Sequence, residues 1–187
     1  MRAQIQSFPL YAATTVIWTP DRIAEMIEQG EAAGVRKAGL AHSPGIGAQS
    51  SRQTRIAWVP HEQAEAWVRE LNALAQTLNE RYWHFDLEPL VESLQYTVYE
   101  VGDYFGWHTD AGPGVPPRKL SISVQLTEPS AYDGGELQIQ MTDQLITMPT
   151  QPGQAIVFPS FVRHQVTPVT RGVRRALVAW IGGPPFR

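Results

Sequence analysis

Three side chains in this sequence have the types and spacing of a metal site: His108, Asp110 and His164. His108 and Asp110 flank a threonine, and residues i and i+2 of an extended strand point to one face. An imidazole and a carboxylate would therefore converge on one point. His164 lies just before a predicted strand, where a returning sheet could bring it to the same place. Two imidazoles and one carboxylate form a facial triad, which leaves positions open on octahedral Fe(II) for oxygen and a chelating co-substrate. A His-x-Asp pair alone also has a plain reading. His108 would then be a hydrogen-bonded strand histidine, and Asp110 a turn former ahead of Ala111-Gly112-Pro113-Gly114.

Arg174 moves the balance toward chemistry. It lies ten positions past His164, across a turn at Arg171-Gly172, where it could sit on a neighbouring strand facing the same pocket. A guanidinium binds a carboxylate through two parallel hydrogen bonds. That is the device needed to hold the far carboxylate of 2-oxoglutarate while its keto-acid end chelates iron. Arg171 and Arg175 suit an exposed edge strand better.

The bulk properties agree with such a site. The chain has 187 residues, a hydrophobic fraction of 43% and a net charge of −3, which suit one globular domain with a sizeable core. No basic stripe points to nucleic acid. With no cysteine, disulfides and thiolate metal sites are excluded, so a metal must use His, Asp or Glu. No apolar run reaches membrane-spanning length, and the segment from Met1 to Trp18 lacks the features of a signal peptide. A cytoplasmic protein without membrane or nucleic-acid partners is the expectation.

The elements that must position these residues fall into two groups. Residues 1–88 read as a mainly helical support region. Thr19-Pro20 caps a helix bearing Ile23, Met26 and Ile27, with Gly34 as its stop. A second helix runs from about Pro60 to Tyr82, with Trp67, Leu71, Ala75 and Leu78 at helical spacing. Residues 89–187 read as a β core. Strands are expected at Leu94–Glu100, Lys119–Thr127, Gly135–Met141, Ala155–Phe158, Gln165–Val169 and Arg175–Trp180. Loops are expected at 42–54 and 111–117. The fold class is therefore α+β or mainly β: a small jelly roll, cupin-like, with N-terminal helices packed on one sheet.

The motifs in order are Tyr99-x-x-Gly102, Trp107-His108-Thr109-Asp110, Asp133-Gly134-Gly135-Glu136-Leu137, His164-x-Val166-x-Pro168-Val169, and Arg174 followed by Trp180. This series resembles the prolyl 4-hydroxylase-like branch of the 2-oxoglutarate/Fe(II) oxygenases. The likeness is greatest to compact microbial and phage members, and it covers about residues 90–187. It implies a double-stranded β-helix in which His108, Asp110 and His164 bind iron. Arg174 would pair with the distal carboxylate of 2-oxoglutarate, Tyr99 would hydrogen-bond that co-substrate, and Leu137, Val166 and Trp180 would line its pocket. Gln125 stands where some relatives place a tyrosine, which leaves Gln125 and Ser123 as further candidate contacts. By their plain reading, Tyr99 and Trp180 are core aromatics and the Gly134-Gly135 pair only starts the strand holding Leu137.

The implied activity is hydroxylation of an unactivated C–H bond with O2, giving succinate and CO2, with ascorbate as a candidate reductant. Related halogenases lack the carboxylate that Asp110 supplies, so its presence favours hydroxylation. The substrate is a prolyl or other residue of a peptide or protein, a free amino acid, or another small molecule. Arg52, Arg55, Trp107 and Arg118 are candidate substrate contacts, and the plain reading of each is a solvated arginine or a packed tryptophan. Two alternatives compete: a cupin-like metal enzyme that does not use 2-oxoglutarate, and a non-catalytic β-sandwich binding module. Oligomeric state is left open.

Overall fold

The computed structural model describes residues 9–38, 52–90, 92–112, 114–141 and 143–185. Helix α1 spans Pro20–Ala32, with the Thr19 hydroxyl accepting from the Arg22 amide at 3.4 Å and Pro20 at its first position, as the capping pattern predicts. Gly34 follows in the left-handed region at φ 85°. Helix α2 spans Glu65–Tyr82. It starts later than the periodicity predicts, because a 3-10 turn at His61–Gln63 and a non-helical Ala64 precede it.

Among the described residues there are also fourteen strands. In order they are β1 (Ala12–Ala13), β2 (Arg36–Lys37), β3 (Arg52–Gln53), β4 (Arg55–Val59), β5 (Leu94–Tyr99), β6 (Tyr104–His108) and β7 (Arg118–Gln125). They continue with β8 (Tyr132–Gly134), β9 (Leu137–Met141), β10 (Gln144–Thr147), β11 (Ala155–Pro159), β12 (His164–Val166), β13 (Val169–Gly172) and β14 (Arg174–Gly182). One sheet has the order β1-β11-β7-β14-β5-β4-β2, a second β10-β9-β12-β6-β3, and β13 pairs with β8. All paired strands in these sheets are antiparallel.

The period-2 alternation of the large sheet explains both layers. Leu94, Tyr96 and Val98 of β5, Leu120 and Val124 of β7, and Leu177, Ala179 and Ile181 of β14 join one core with Ile23 and Met26 of α1 and Trp67, Leu71 and Ala75 of α2. The residues between them, Gln95, Thr97, Tyr99, Ser121, Ser123, Arg174, Ala176, Val178 and Trp180, line a cavity on the other face. The second sheet closes that cavity from opposite. Tyr99, Leu137, Ile139, Phe158, Val162 and Val166 form a smaller core between the sheets. The expected helices-on-one-sheet arrangement is what forms.

Several elements differ from the pattern reading. Among the described residues, four short strands accompany the two helices of the first half, and β4 pairs along its length with β5. Arg52 and Gln53, expected in a loop, form β3 because they pair with Phe105 and Tyr104 of β6. The rest of that expected loop, residues 42–51, lies outside the described residues. Strand β6 is invisible to the pattern because Gly106 interrupts any alternation. The expected strand Gln165–Val169 is two, since the chain changes partners from β9 and β6 to β8. Trp18 and Trp83 are buried, whereas Trp58 is 44% exposed.

Gly30 marks the closest approach of α1 to the sheet. A Cβ there would lie 2.3 Å from the ring of Tyr96, which is fully buried and whose hydroxyl donates to Glu31. Neither partner has room to retreat. Gly30→Val is expected to destabilise the fold by about 1–3 kcal/mol through overpacking, read as a lower denaturation midpoint in urea.

Candidate metal centre

The two histidines meet because β12 pairs with β6, with His164 directly opposite His108. Asp110 lies just past the end of β6, in a bend held by two amides: those of Asp110 and Ala111 both donate to the Ser160 carbonyl, at 2.9 and 3.0 Å. Convergence of His108 and Asp110 thus needs a clamped bend as well as strand parity. Nε2 of His108 lies 3.7 Å from Oδ1 of Asp110, and Nε2 of His164 lies 3.5 Å from Oδ2. One ligand atom from each of the three residues lies within 4.8 Å of the others. Among the described residues this is the group of His, Asp and Glu side chains able to hold a metal ion.

The surroundings prepare each ligand. Nδ1 of His108 faces the Gly106 carbonyl at 2.8 Å, and Nδ1 of His164 faces the Val162 carbonyl at 2.9 Å. A carbonyl can only accept, so each Nδ1 carries the proton and each Nε2 presents its lone pair. His108 stacks on Phe105 with ring centroids 3.5 Å apart. Burial, followed by the neighbouring His164, holds its pKa below the ordinary 6.5 despite Asp110, so its imidazole is neutral at pH 7. For Asp110, burial alone would raise the pKa, but the two imidazoles, then the Trp180 indole and the Ser121 hydroxyl, more than offset it and keep the carboxylate ionised. Ser121 donates to Oδ2 at 2.7 Å and lies 3.0 Å from the Ser160 hydroxyl.

Arg174 enters the cavity from the other sheet. It is directly opposite Tyr99 in the β14–β5 pair, and its guanidinium carbon lies 5.4 Å from the centre of that ring. It is therefore on the facing sheet, not on a strand beside His164, because β12 belongs to the second sheet. Arg174 is only 3% exposed, yet among the described residues no carboxylate pairs with it.

The structure sorts the remaining candidates. Tyr99, Leu137, Val166, Trp180 and Ser123 line the cavity with the triad and Arg174. Gln125 lies beyond, in a small pocket shared with Ser123, Leu137 and Arg174, where its amide donates to the Tyr132 hydroxyl at 2.8 Å. Arg52 donates to Gln95 at 2.9 Å and lies 4.6 Å over Phe105, at the edge of the cavity. Arg118 forms a two-pronged pair with Glu92, at 2.7 and 2.6 Å, and lies 3.7 Å over Trp180. The structure does not bring Arg55 and Trp107 to the cavity. Arg55 pairs with Glu100 in a surface groove beside Lys37. Trp107 follows Gly106 on β6 and takes the opposite face from His108, near Arg163.

Sequence reasoning misses Gln95, Thr97, Phe105, Ser121 and Val178, all of which line the cavity. Most were available through parity. Ser121 shares a face with Ser123, Val178 falls between Arg174 and Trp180, and Gln95 and Thr97 alternate with Tyr99. Phe105 carried no such signal, because β6 itself was not legible.

Comparison with known proteins places this geometry. The sequence pattern of the 2OG-Fe(II) oxygenase superfamily matches residues 94–182. Residues 94–182 are therefore similar to that superfamily over a little under half of the chain. A PKHD-type hydroxylase of Cupriavidus metallidurans is 36% identical over 126 residues, 64% of this chain and 55% of that protein. Another from Paraburkholderia phymatum is 42% identical over 90 residues, 44% of this chain and 40% of that one. The chain thus spans about half the length of these relatives. Two solved structures share the fold at lower identity. A Pseudomonas putida prolyl-4-hydroxylase has a TM-score of 0.74 at 20% identity, covering 94% of this chain and 93% of that one. A Trichoplax adhaerens prolyl hydroxylase, solved with a hypoxia inducible factor peptide, has a TM-score of 0.75 at 15% identity, covering 93% and 84%. The double-stranded β-helix expected for such oxygenases is the fold observed.

The superfamily is named for Fe(II) and 2-oxoglutarate, and the residues fit both. The β core offers two neutral imidazoles and an ionised carboxylate for the metal, and a buried guanidinium that no carboxylate of the described residues pairs with, for an anion. Among the described residues, no helix is long and apolar enough to cross a membrane.

The Ser121 hydroxyl orients the carboxylate without touching the metal position. Ser121→Ala is expected to weaken Fe(II) affinity by roughly 10-fold or more, in line with losses seen when such outer partners are removed. Anaerobic Fe(II) titration against wild type checks this.

Proposed function

We propose that this protein is a hydroxylase that inserts one oxygen atom into a C–H bond of a prolyl or other amino-acid residue. It would use Fe(II), O2 and 2-oxoglutarate and yield succinate and CO2. The observation that carries the reading is Arg174: a buried cation that no carboxylate of the described residues pairs with, on the wall facing a metal triad. A charge is buried only when something compensates it. A cupin-like enzyme that does not use 2-oxoglutarate has no need of this residue, and a binding module needs neither Arg174 nor the triad.

In this reading His108, Asp110 and His164 hold the iron, and Arg174 holds the distal carboxylate of 2-oxoglutarate through paired hydrogen bonds. Tyr99 stands beside Arg174 with its hydroxyl available to the same carboxylate. Leu137, Val166 and Trp180 exclude water along the co-substrate. Bound iron and 2-oxoglutarate supply the oxidising chemistry, while the chain binds, orients and shields them. The charges also balance: Asp110 and Arg174 cancel, and a divalent cation with a dianionic co-substrate leaves that balance unchanged.

The substrate reading draws on the names of relatives, which include hydroxylases and prolyl hydroxylases, and on the cavity edge. There Arg118 lies over Trp180, and the exposed Trp58 lies 6.1 Å from Trp180 between ring centres. Aromatic-lined surfaces of this kind suit proline-rich segments. Arg118 and Arg52 would meet substrate carbonyls or carboxylates.

The test has two stages. Fe(II) with 2-oxoglutarate, without oxygen, should give a co-substrate-dependent visible absorbance band. Prolyl peptides and free amino acids should then be screened by mass spectrometry for the gain of one oxygen atom. His108→Ala and Asp110→Ala are expected to abolish the band, and Arg174→Ala to raise the 2-oxoglutarate requirement by about tenfold or more. Succinate formation undiminished in the triad variants would refute the assignment.

A further inference from the structure

The Asp133-Gly134-Gly135 turn leads into β9, and strand entry alone would explain one glycine. The structure gives the two glycines different neighbours. Both have positive φ, 71° at Gly134 and 60° at Gly135. A Cβ on Gly134 would meet the Pro168 carbonyl oxygen at 2.2 Å, so that glycine serves backbone packing against β13. A Cβ on Gly135 would instead lie 3.0 Å from Cδ and 3.7 Å from Cβ of Arg174, and 2.8 Å from Cγ2 of Val169. The Gly135 amide donates to the Pro168 carbonyl at 3.1 Å, which ties its backbone in place.

Arg174 needs guidance of this kind. Among the described residues no carboxylate orients its guanidinium, so its direction before the co-substrate arrives depends on how its methylene stem packs. Its backbone is set by the pairing with Tyr99. From there the stem runs past Gly135 into the cavity.

We propose that Gly135 is a positioning residue for Arg174: the missing side chain leaves the groove in which the arginine stem lies, and so aims the guanidinium at the far carboxylate of the co-substrate. This inference rests on reading Arg174 as the 2-oxoglutarate anchor. A methyl group at 135 displaces Cδ, and a displacement there moves the guanidinium at the end of the side chain. The loss is selective. A keto acid with a far carboxylate loses affinity, whereas one that only chelates the metal does not.

The test compares 2-oxoglutarate with 2-oxobutyrate, which lacks the second carboxylate, by anaerobic titration of the Fe(II) protein and the visible band. The proteins are wild type, Gly135→Ala and Gly34→Ala. Gly34 has φ 85° with nothing near its Cβ position, so its variant introduces left-handed strain without the contact. Gly135→Ala should lose about tenfold of the preference for 2-oxoglutarate over 2-oxobutyrate, with Fe(II) and 2-oxobutyrate affinities unchanged. Gly34→Ala should keep the preference. An unchanged preference in Gly135→Ala, or equal weakening of both acids, overturns the proposal. Wild type without any preference overturns the anchor reading, and this inference with it. Should Gly135→Ala fail to fold, the same comparison is made with Gly135→Ala/Val169→Ala, which removes the other close contact.

Discussion

The strict alternation of three neighbouring strands, β5, β7 and β14, governs this molecule. Each presents apolar side chains to the helices on one face and a mixed polar set to the cavity on the other. A one-residue slip in any of them would expose the core and bury the site residues against α1 and α2. The hydrophobic drive that holds the helices on the sheet therefore also fixes which way Tyr99, Ser121 and Arg174 face. Site geometry is bound to core packing and needs no separate device.

The second constraint is electrostatic. Asp110 and Arg174 are both buried charges, and they sit on opposite walls. Asp110 is sustained by a hydrogen bond from Ser121 and by two imidazoles. Arg174 is sustained by its stem and by the ring of Tyr99. A closed cavity with separated, individually supported charges is poorly stable as an empty space and well suited to a cation and an anion bound side by side. Carbonyls behind each histidine then leave their Nε2 atoms as the free acceptors.

Much of this was legible in the residue pattern, for reasons that can be named. The helices declared themselves by cap and period, and most strands of the β core by β-rich runs between turns. His108 and Asp110 stood out as a His-x-Asp pair, and His164 and Arg174 as an imidazole and a guanidinium ten residues apart across a turn. Strand β6 was illegible because a glycine breaks its alternation, and β3 and β4 because short segments take their conformation from partners distant in the chain. For the same reason Arg55 and Trp107 could not be separated from Arg52 and Arg118. Which of four exposed-looking residues reaches a cavity depends on which face the pairing gives it, and the pairing is tertiary.

The position of β14 in the large sheet has a consequence for the order of assembly. It lies between β7 and β5, although it is the last of the described strands. At the far edge, β1 pairs with β11 across most of the sequence. Neither half of that sheet can close before the final strand enters, and contacts so distant along the chain are slow to form. A nascent or partly unfolded molecule therefore exposes two incomplete sheet edges at once. Its period of vulnerability to aggregation lasts until the segment bearing Arg174 is in place.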